Sequence, residues 1–251
     1  MASYSSSRIE VFDVLPSTQT LAVERLRSGV VGSGWIQARM QTDGIGRRGR
    51  AWLGFSGNLM ASWYGLLRLD VGHVTQLSFV AALAVTDLLR PLVRDKADLA
   101  IKWPNDILYK NQKLCGILVQ SEPTEVEGYL GIIVGIGLNV AAAPELEAYA
   151  TAALKHVVLT PEDFDPLLLL EDLSVYFDQR LKLWQEAGFG HVAQDWLEQA
   201  YGRDHLIEAE DAGGSINGKL QGLDPYGALK IMDASGVVHH FSGGEIAYRD
   251  N

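Results

Sequence analysis

Four short aliphatic runs, at residues 99–102, 107–109, 114–119 and 129–136, follow one another with only turn residues between them. Runs of this length, bounded in this way, read as neighbouring strands, so the chain is committed to a mixed sheet and its other segments are read by how they serve it. Residues 9–15, 35–40 and 59–67 add strands. Pro16, Ser17 and Thr18 supply a break and a hydroxyl cap before a helix over 21–26. Leu77, Ala81, Ala84 and Leu88 recur at helical spacing, predicting a helix that covers the sheet. The same pattern runs through Leu170, Leu173, Phe177, Leu181 and Trp184 and predicts one amphipathic helix within 165–199. Its start is marked by Thr160, Pro161, Glu162 and Asp163 and by Pro166.

Beyond Tyr201 the texture changes to short segments at 206–209, 219–223, 228–232 and 237–241, separated by Gly213-Gly214, by residues 224–227 and by Gly243-Gly244. This predicts a small all-β barrel, and at roughly 50 residues such a unit is expected to pack on the larger one. The division expected is residues 1–200 and 201–251. With 251 residues and 47% hydrophobic content, the chain can bury a core without staples. Its single cysteine, Cys115, cannot form an internal disulfide. Residues 1–7 are too short and arginine-poor for a transit peptide, and no uncharged apolar run reaches membrane-crossing length. The expectation is a cytoplasmic protein with no membrane role. Twenty-one Lys and Arg against 31 Asp and Glu leave a charge of −10, which opposes a broad phosphate-backbone surface and excludes nucleic acid as the principal partner.

Positive charge is nonetheless concentrated in one place. Residues 41–50, with Gln41, Gly44, Ile45, Gly46, Arg47, Arg48, Gly49 and Arg50, are a polar, glycine-rich stretch expected to be a mobile loop, and the motif runs on to Trp52. Glycines let backbone N–H groups approach an anion and arginines neutralise it; a solvated basic turn and a nucleic-acid patch are the other readings. The stretch is neither a Walker loop nor a dinucleotide fingerprint, since it lacks the Lys-Ser or Lys-Thr pair and the third glycine. A second motif, Lys102-Trp103-Pro104-Asn105-Asp106, ends a strand on a lysine before a proline turn. Asp106 has three roles open to it: binding magnesium through water, helping to deprotonate an amine, or capping the turn. Lys113-Leu114-Cys115-Gly116-Ile117-Leu118 and Gly135-Ile136-Gly137-Leu138-Asn139 are apolar strands with glycine where a side chain would obstruct a close neighbour, either a flat ligand or packed backbone.

Together and in this order, with Ser17-Thr18 before them and Gly243-Gly244-Glu245-Ile246 after them, these motifs resemble the biotin protein ligase family, over nearly the whole chain. The resemblance implies an α+β fold: a mixed-sheet, class II synthetase-like catalytic domain of the biotin/lipoate ligase type, followed by a small SH3-like β-barrel. It implies activation of biotin by ATP with magnesium as biotinyl-5'-AMP, then transfer to a lysine of the biotin carboxyl carrier protein of acetyl-CoA carboxylase. Family members occur as monomers and as homodimers joined through sheet edges. On this resemblance Ser17, Thr18 and Gln41 meet the ureido ring, Gln19 also belongs to the biotin site, and Gly44, Ile45, Gly46, Arg47 and Gly116 close on biotin. Lys102 and Arg47 act as catalytic cations at the carboxylate and the phosphate. Arg48, Arg50, Trp52 and Asn139 belong to the nucleotide, with Trp52 on the adenine and Asn139 at its edge. No residue is assigned to magnesium.

Two positions depart from the family pattern: Ile45 where arginine is common, and Gln19 where asparagine is common. The first removes a salt link but not backbone contacts; the second extends the amide by one methylene. The related lipoate ligases and octanoyltransferases are the nearest alternative, opposed by the arginine-rich loop. A repressor carrying a winged helix is opposed by the 16 residues before Ser17, too few for such a unit, so the monofunctional type is expected. A binding protein without catalysis is opposed by Lys102 and Arg47. No covalent enzyme intermediate is needed, and Cys115, inside an apolar strand, is expected to be inert.

Overall fold

A computed structural model describes residues 8–160, 163–203, 205–211 and 214–249. Met1 to Ser7, Pro161, Glu162 and Gly213, all singled out above, lie outside the described residues.

In chain order the elements are β1 (Arg8–Leu15), α1 (Thr18–Arg27), β2 (Gly34–Gln41), β3 (Leu59–Leu67), α2 (Gln76–Leu89), β4 (Leu99–Lys102), β5 (Asp106–Tyr109), β6 (Gln112–Pro123), β7 (Leu130–Leu138), α3 (Leu154–Val157), α4 (Pro166–Ala187) and α5 (Phe189–Glu198). A second group follows: β8 (Leu206–Asp211), β9 (Gly214–Leu223), β10 (Leu229–Met232), β11 (Val238–Phe241) and β12 (Glu245–Arg249). Seven strands form one mixed sheet in the order β1-β2-β3-β7-β6-β5-β4, parallel only between β1 and β2. β5 and β6 meet across Lys110-Asn111, both at positive φ, 49° and 63°, the two-residue hairpin turn whose twist suits antiparallel strands.

Strand periodicity divides side chains between the two faces. On β7, Ile132, Val134, Ile136 and Leu138 enter the main core with Trp35, Leu59, Trp63 and residues of α2, α4 and α5. On the opposite face Ile133 packs with Ala22, Leu26, Ile36 and Tyr64 beneath α1, and β7 there carries Gly131, Gly135 and Gly137. Arg180 on α4 binds Asp87 of α2 through both carboxylate oxygens and also Asp195 of α5, which ties the three covering helices together.

Several expectations are corrected. The single helix within 165–199 is two, because Gly188 takes φ 79°, a left-handed conformation that an α-helix cannot continue through. The first helix starts at Thr18, earlier than its first apolar residue, because Ser17 Oγ accepts from Gln19 N–H and caps it. Residues 71–89 do reach the length and apolarity of a membrane span; twelve of the fourteen residues of α2 are buried in the core, which accounts for their apolarity. The C-terminal unit is, as expected, a small antiparallel β unit: five strands in the order β11-β10-β9-β8-β12, with no closing pair between β11 and β12 among the described residues. β12, not foreseen as a strand, forms its edge.

This second sheet docks on the first unit through residues 224–227. Thr75 Oγ1 donates to the Tyr226 carbonyl at 2.6 Å, Gln76 Nε2 to Pro225 at 2.7 Å and Trp103 Nε1 to Gly227 at 3.1 Å, while the Tyr226 and His73 rings stack at 5.6 Å.

Candidate functional site

The glycine-bearing face of the seven-stranded sheet opens into a cleft of about 1020 Å³. Its lining brings together Ser17, Thr18, Gln19, Gln41, Ile45, Gly46, Arg47, Arg48, Arg50, Trp52, Lys102, Gly116 and Asn139, scattered across nearly half the sequence. Gly44 sits just behind this lining. Its carbonyl accepts from Trp52 N–H at 2.8 Å, and a Cβ there would collide with the Trp52 carbonyl.

One end of the cleft is a buried polar network. Gln41 Oε1 accepts from Thr18 N–H at 2.7 Å and from Thr18 Oγ1 at 3.1 Å; Thr18 Oγ1 lies 2.9 Å from Ser62 Oγ, which donates to Gln19 Oε1 at 3.0 Å. Ser17, Thr18, Gln19 and Ser62 are all nearly inaccessible. With the Gln41 oxygen occupied twice, its NH₂ group is the part left to meet a ligand. Gln19 uses its extra methylene to reach Ser62 and, at 3.5 Å, the Leu118 carbonyl, and it lies where Gly135 has no side chain. Ser62, on β3, was missed from sequence, where it is one hydroxyl in an apolar run.

The arginine stretch is not a free loop. Gly46 N–H donates to Arg50 O at 2.7 Å, Thr42 and Asp43 donate to Leu15 and Pro16 carbonyls, and Ile45 pairs with Ala51. These bonds close the stretch into a compact turn, with Arg48 at φ 55°. Ile45 is 40% exposed. Arg47 points inward: its Nη1 donates to Asn105 Oδ1 at 2.9 Å, and Asn105 in turn donates to the Ile117 carbonyl at 2.6 Å. Burial lowers the Arg47 pKa from its ordinary value, opposed by the charge of Asp106 and assisted by Arg48 and Arg50. A guanidinium stays protonated under such a shift, so Arg47 is a partly desolvated cation at the middle of the cleft.

Two lysines line the cleft. Lys102 ends β4 and stands opposite Asp106 in the β4–β5 pairing. Lys113, not proposed from sequence, has Nζ 2.8 Å from Asp106 Oδ1, its side chain only 15% exposed. It also lies 5.7 Å from the Trp52 ring centre and 5.4 Å from that of Tyr149. Asp106 is therefore engaged by a cation, and among the described residues no three His, Cys, Asp or Glu side chains converge as a metal site.

At the far end Trp52 lies against bare backbone. A Cβ on Gly116 would come within 2.9 Å of its ring, and one on Gly137 would overlap it. Trp52 Nε1 and Asn139 Oδ1 are buried with no hydrogen-bond partner among the described residues. Leaving such a group unpaired costs about 1–3 kcal/mol, so an unmet donor and an unmet acceptor in the lining of one cleft mark a place for a ligand with a polar edge. Burial also raises the Cys115 thiol pKa far above its ordinary value, although Lys113 pulls it down; the thiol is fully buried in its strand. The second sheet adds Gly244 and Ile246 to the rim.

Residues 11–139 match the biotin/lipoate A/B protein ligase family, and residues 207–249 match the biotin protein ligase C terminal domain. The chain is 36% identical over 217 residues to a biotin–[acetyl-CoA-carboxylase] ligase of Paracoccus denitrificans, covering 84% of this chain and 89% of that protein. To the ligase of the same name from Mycobacterium tuberculosis it is 29% identical, covering 96% and 89%. The biotin protein ligase of Aquifex aeolicus in complex with biotin and ATP superposes with a TM-score of 0.76 at 27% identity, covering 97% of this chain and 99% of that one.

Proposed function

The chain belongs to the biotin/lipoate A/B protein ligase family, and on that premise we propose that it is an ATP-dependent biotin protein ligase whose acceptor is the biotin carboxyl carrier protein of acetyl-CoA carboxylase. The observation that carries this reading is the polarity of the cleft from end to end: a closed hydrogen-bonding pocket, then cations, then a glycine platform with unmet polar atoms. A ureido ring needs the first, a carboxylate and a triphosphate need the second, and a purine needs the third.

We assign Gln41, Thr18 and Ser17 to the ureido group, with Gln19 and Ser62 holding them; Gly44, Ile45, Gly46 and Gly116 close around the acyl chain. Trp52 and Asn139 take the adenine, and Arg48 and Arg50 face the phosphates. Attack of the biotin carboxylate on the α-phosphorus forms a P–O bond and expels pyrophosphate. Two anions about 4 Å apart repel by about 4 kcal/mol at an effective dielectric of 20. Arg47, Lys102 and Lys113, each partly buried in the wall of the cleft, offset this repulsion. The carrier's lysine, as a neutral amine, then attacks the acyl carbon; an amide forms and AMP leaves. Magnesium belongs with ATP as part of the substrate, since Asp106 is already held by Lys113, and no step is routed through it. The arginine turn excludes water from the mixed anhydride until the amine arrives.

The alternative of lipoate or octanoate transfer, which the same family includes, is disfavoured by the match to the biotin ligase C-terminal domain and by the buried polar pocket, which a plain aliphatic chain would leave unpaired. The residue 200/201 division, a cytoplasmic setting and the absence of DNA binding are part of the same reading, supported by the change to short strands, the lone cysteine and the charge of −10. Incubation with magnesium-ATP, biotin and a carrier domain tests the whole: biotin should appear on the carrier in a streptavidin blot and lipoate or octanoate should not replace it. Labelling with octanoate alone would move the chain to the other branch of the family.

A further inference from the structure

Between the turn before β3 and the exit of β7 lies a set of bonds that the chemistry above does not use. Asn58 is 1% exposed. Its Oδ1 accepts from three successive backbone N–H groups, Val140 at 3.0 Å, Ala141 at 2.9 Å and Ala142 at 3.0 Å, while Nδ2 donates to the Ala142 carbonyl at 2.8 Å. One carboxamide thus satisfies four backbone groups of three consecutive residues, and holds the chain in one direction as it leaves the sheet. Gly57 makes the approach possible: it has φ 84°, and a Cβ there would lie 2.8 Å from that of Ala141.

The segment so directed, residues 140–154, returns to its origin, with Leu154 N–H donating to Asn139 O at 2.8 Å and Lys155 N–H to Val140 O at 3.1 Å. In between it crosses the nucleotide end of the cleft. Lys113 N–H donates to Ala150 O, Ala152 N–H donates to Lys113 O, and the Tyr149 ring faces Lys113 Nζ. The residue just before the segment is Asn139, whose Oδ1 awaits a partner.

We propose that Asn58 is a positioning residue for the nucleotide half of the site. It touches no reacting atom; it sets the path of residues 140–154, and through them the placement of Asn139 and of the Tyr149 wall. The inference rests on the assignment of this cleft to biotin and ATP. The biotin end hangs on Thr18, Gln41 and Ser62 and shares none of these bonds, so the two substrates should feel Asn58 unequally.

Biotin-dependent exchange of pyrophosphate into ATP, measured on the full chain with each substrate varied in turn, reads that inequality. Asn58→Ala should raise KM for ATP by about 10- to 100-fold, the scale of a misplaced contact, and leave KM for biotin within about twofold. Asn58→Asp keeps the acceptor for the three N–H groups but sets an oxygen against Ala142 O, and should recover part of the loss. A glutamyl-specific protease acting at the exposed Glu145 and Glu147 should cut Asn58→Ala faster than the parent, with less protection by ATP. If Asn58→Ala does not fold, Gly57→Ala, which strains the turn and presses on Ala141, should give the same split in smaller measure. Equal rises in both KM values, or an unchanged KM for ATP with unchanged cleavage, would overturn the proposal. A parent with no biotin-dependent exchange would overturn the functional assignment instead, and ATP protection against the protease would still report on Asn58.

Discussion

The two faces of β7 are built from alternate residues of one nine-residue strand and do opposite things. Ile132, Val134, Ile136 and Leu138 fill the space beneath α2 and α4; Gly131, Gly135 and Gly137 leave theirs open, and Leu26, Gln19 and Trp52 move into it. One face is stabilised by contact, the other is made useful by its absence. The same alternation on β3 sets Ser62 toward the cleft between Ala61 and Trp63, which face the core. Stability and activity should therefore respond to different residues of the same strands.

The largest effect expected from the closed face is on stability. Phe177, fully buried against Trp35 and Trp63, should cost about 3–5 kcal/mol when cut to Ala, seen as a lower midpoint in denaturant, while kcat/KM per folded molecule stays near the parent's. A comparable loss of activity without loss of stability would erase the distinction between the faces. Gly137→Val should do the reverse, evicting Trp52 and lowering kcat/KM for ATP on the order of 10²- to 10³-fold with a small change in melting temperature.

Within the open face the two lysines sharpen the comparison. Lys113→Ala removes a partly buried, paired cation and should slow adenylate formation by about 10²-fold, measured by single-turnover release of pyrophosphate. Lys102→Ala removes a second partly buried cation of the same cleft and should slow the same step by about 10²-fold. If only one of the two variants is slowed, the repulsion is offset at that lysine alone. Arg47→Gly should act differently in kind: adenylation falls by about tenfold or less, because Lys113 remains, but the turn no longer retains the anhydride. Biotin on bystander proteins, and ATP use exceeding carrier labelling, are the signs. Loss of adenylation and of bystander labelling together would confine Arg47 to the chemical step.

Much of this was legible in sequence for a physical reason. Strands declare themselves by period and length, and glycines inside apolar runs report a close neighbour even before the neighbour is known. Gly116 and Gly137 could be marked in that way, and Trp52 proved to be what they accommodate. Lys113, Ser62 and Asn58 could not be marked, because their importance comes from register. Ser62 opposes Gly135 only when β3 and β7 pair, and Lys113 meets Asp106 only after the Lys110-Asn111 turn folds β6 back on β5. Asn58 looks like any turn residue until the exit of β7 arrives beside it. The break at Gly188 was hidden because the apolar spacing continues on both sides of it.

The contact made by residues 224–227 also bears on how such chains can be recombined. Trp103, whose indole reaches Gly227, stands between Lys102 and the Asn105 that holds Arg47. A C-terminal unit borrowed from a relative would join the chain at a convenient linker and still meet a foreign surface at Thr75, Gln76 and Trp103. Chimeras cut near residue 201 should inherit the donor's catalytic defects or virtues only when those three residues travel with the graft, so the exchangeable part is a patchwork in space and not a contiguous stretch of gene.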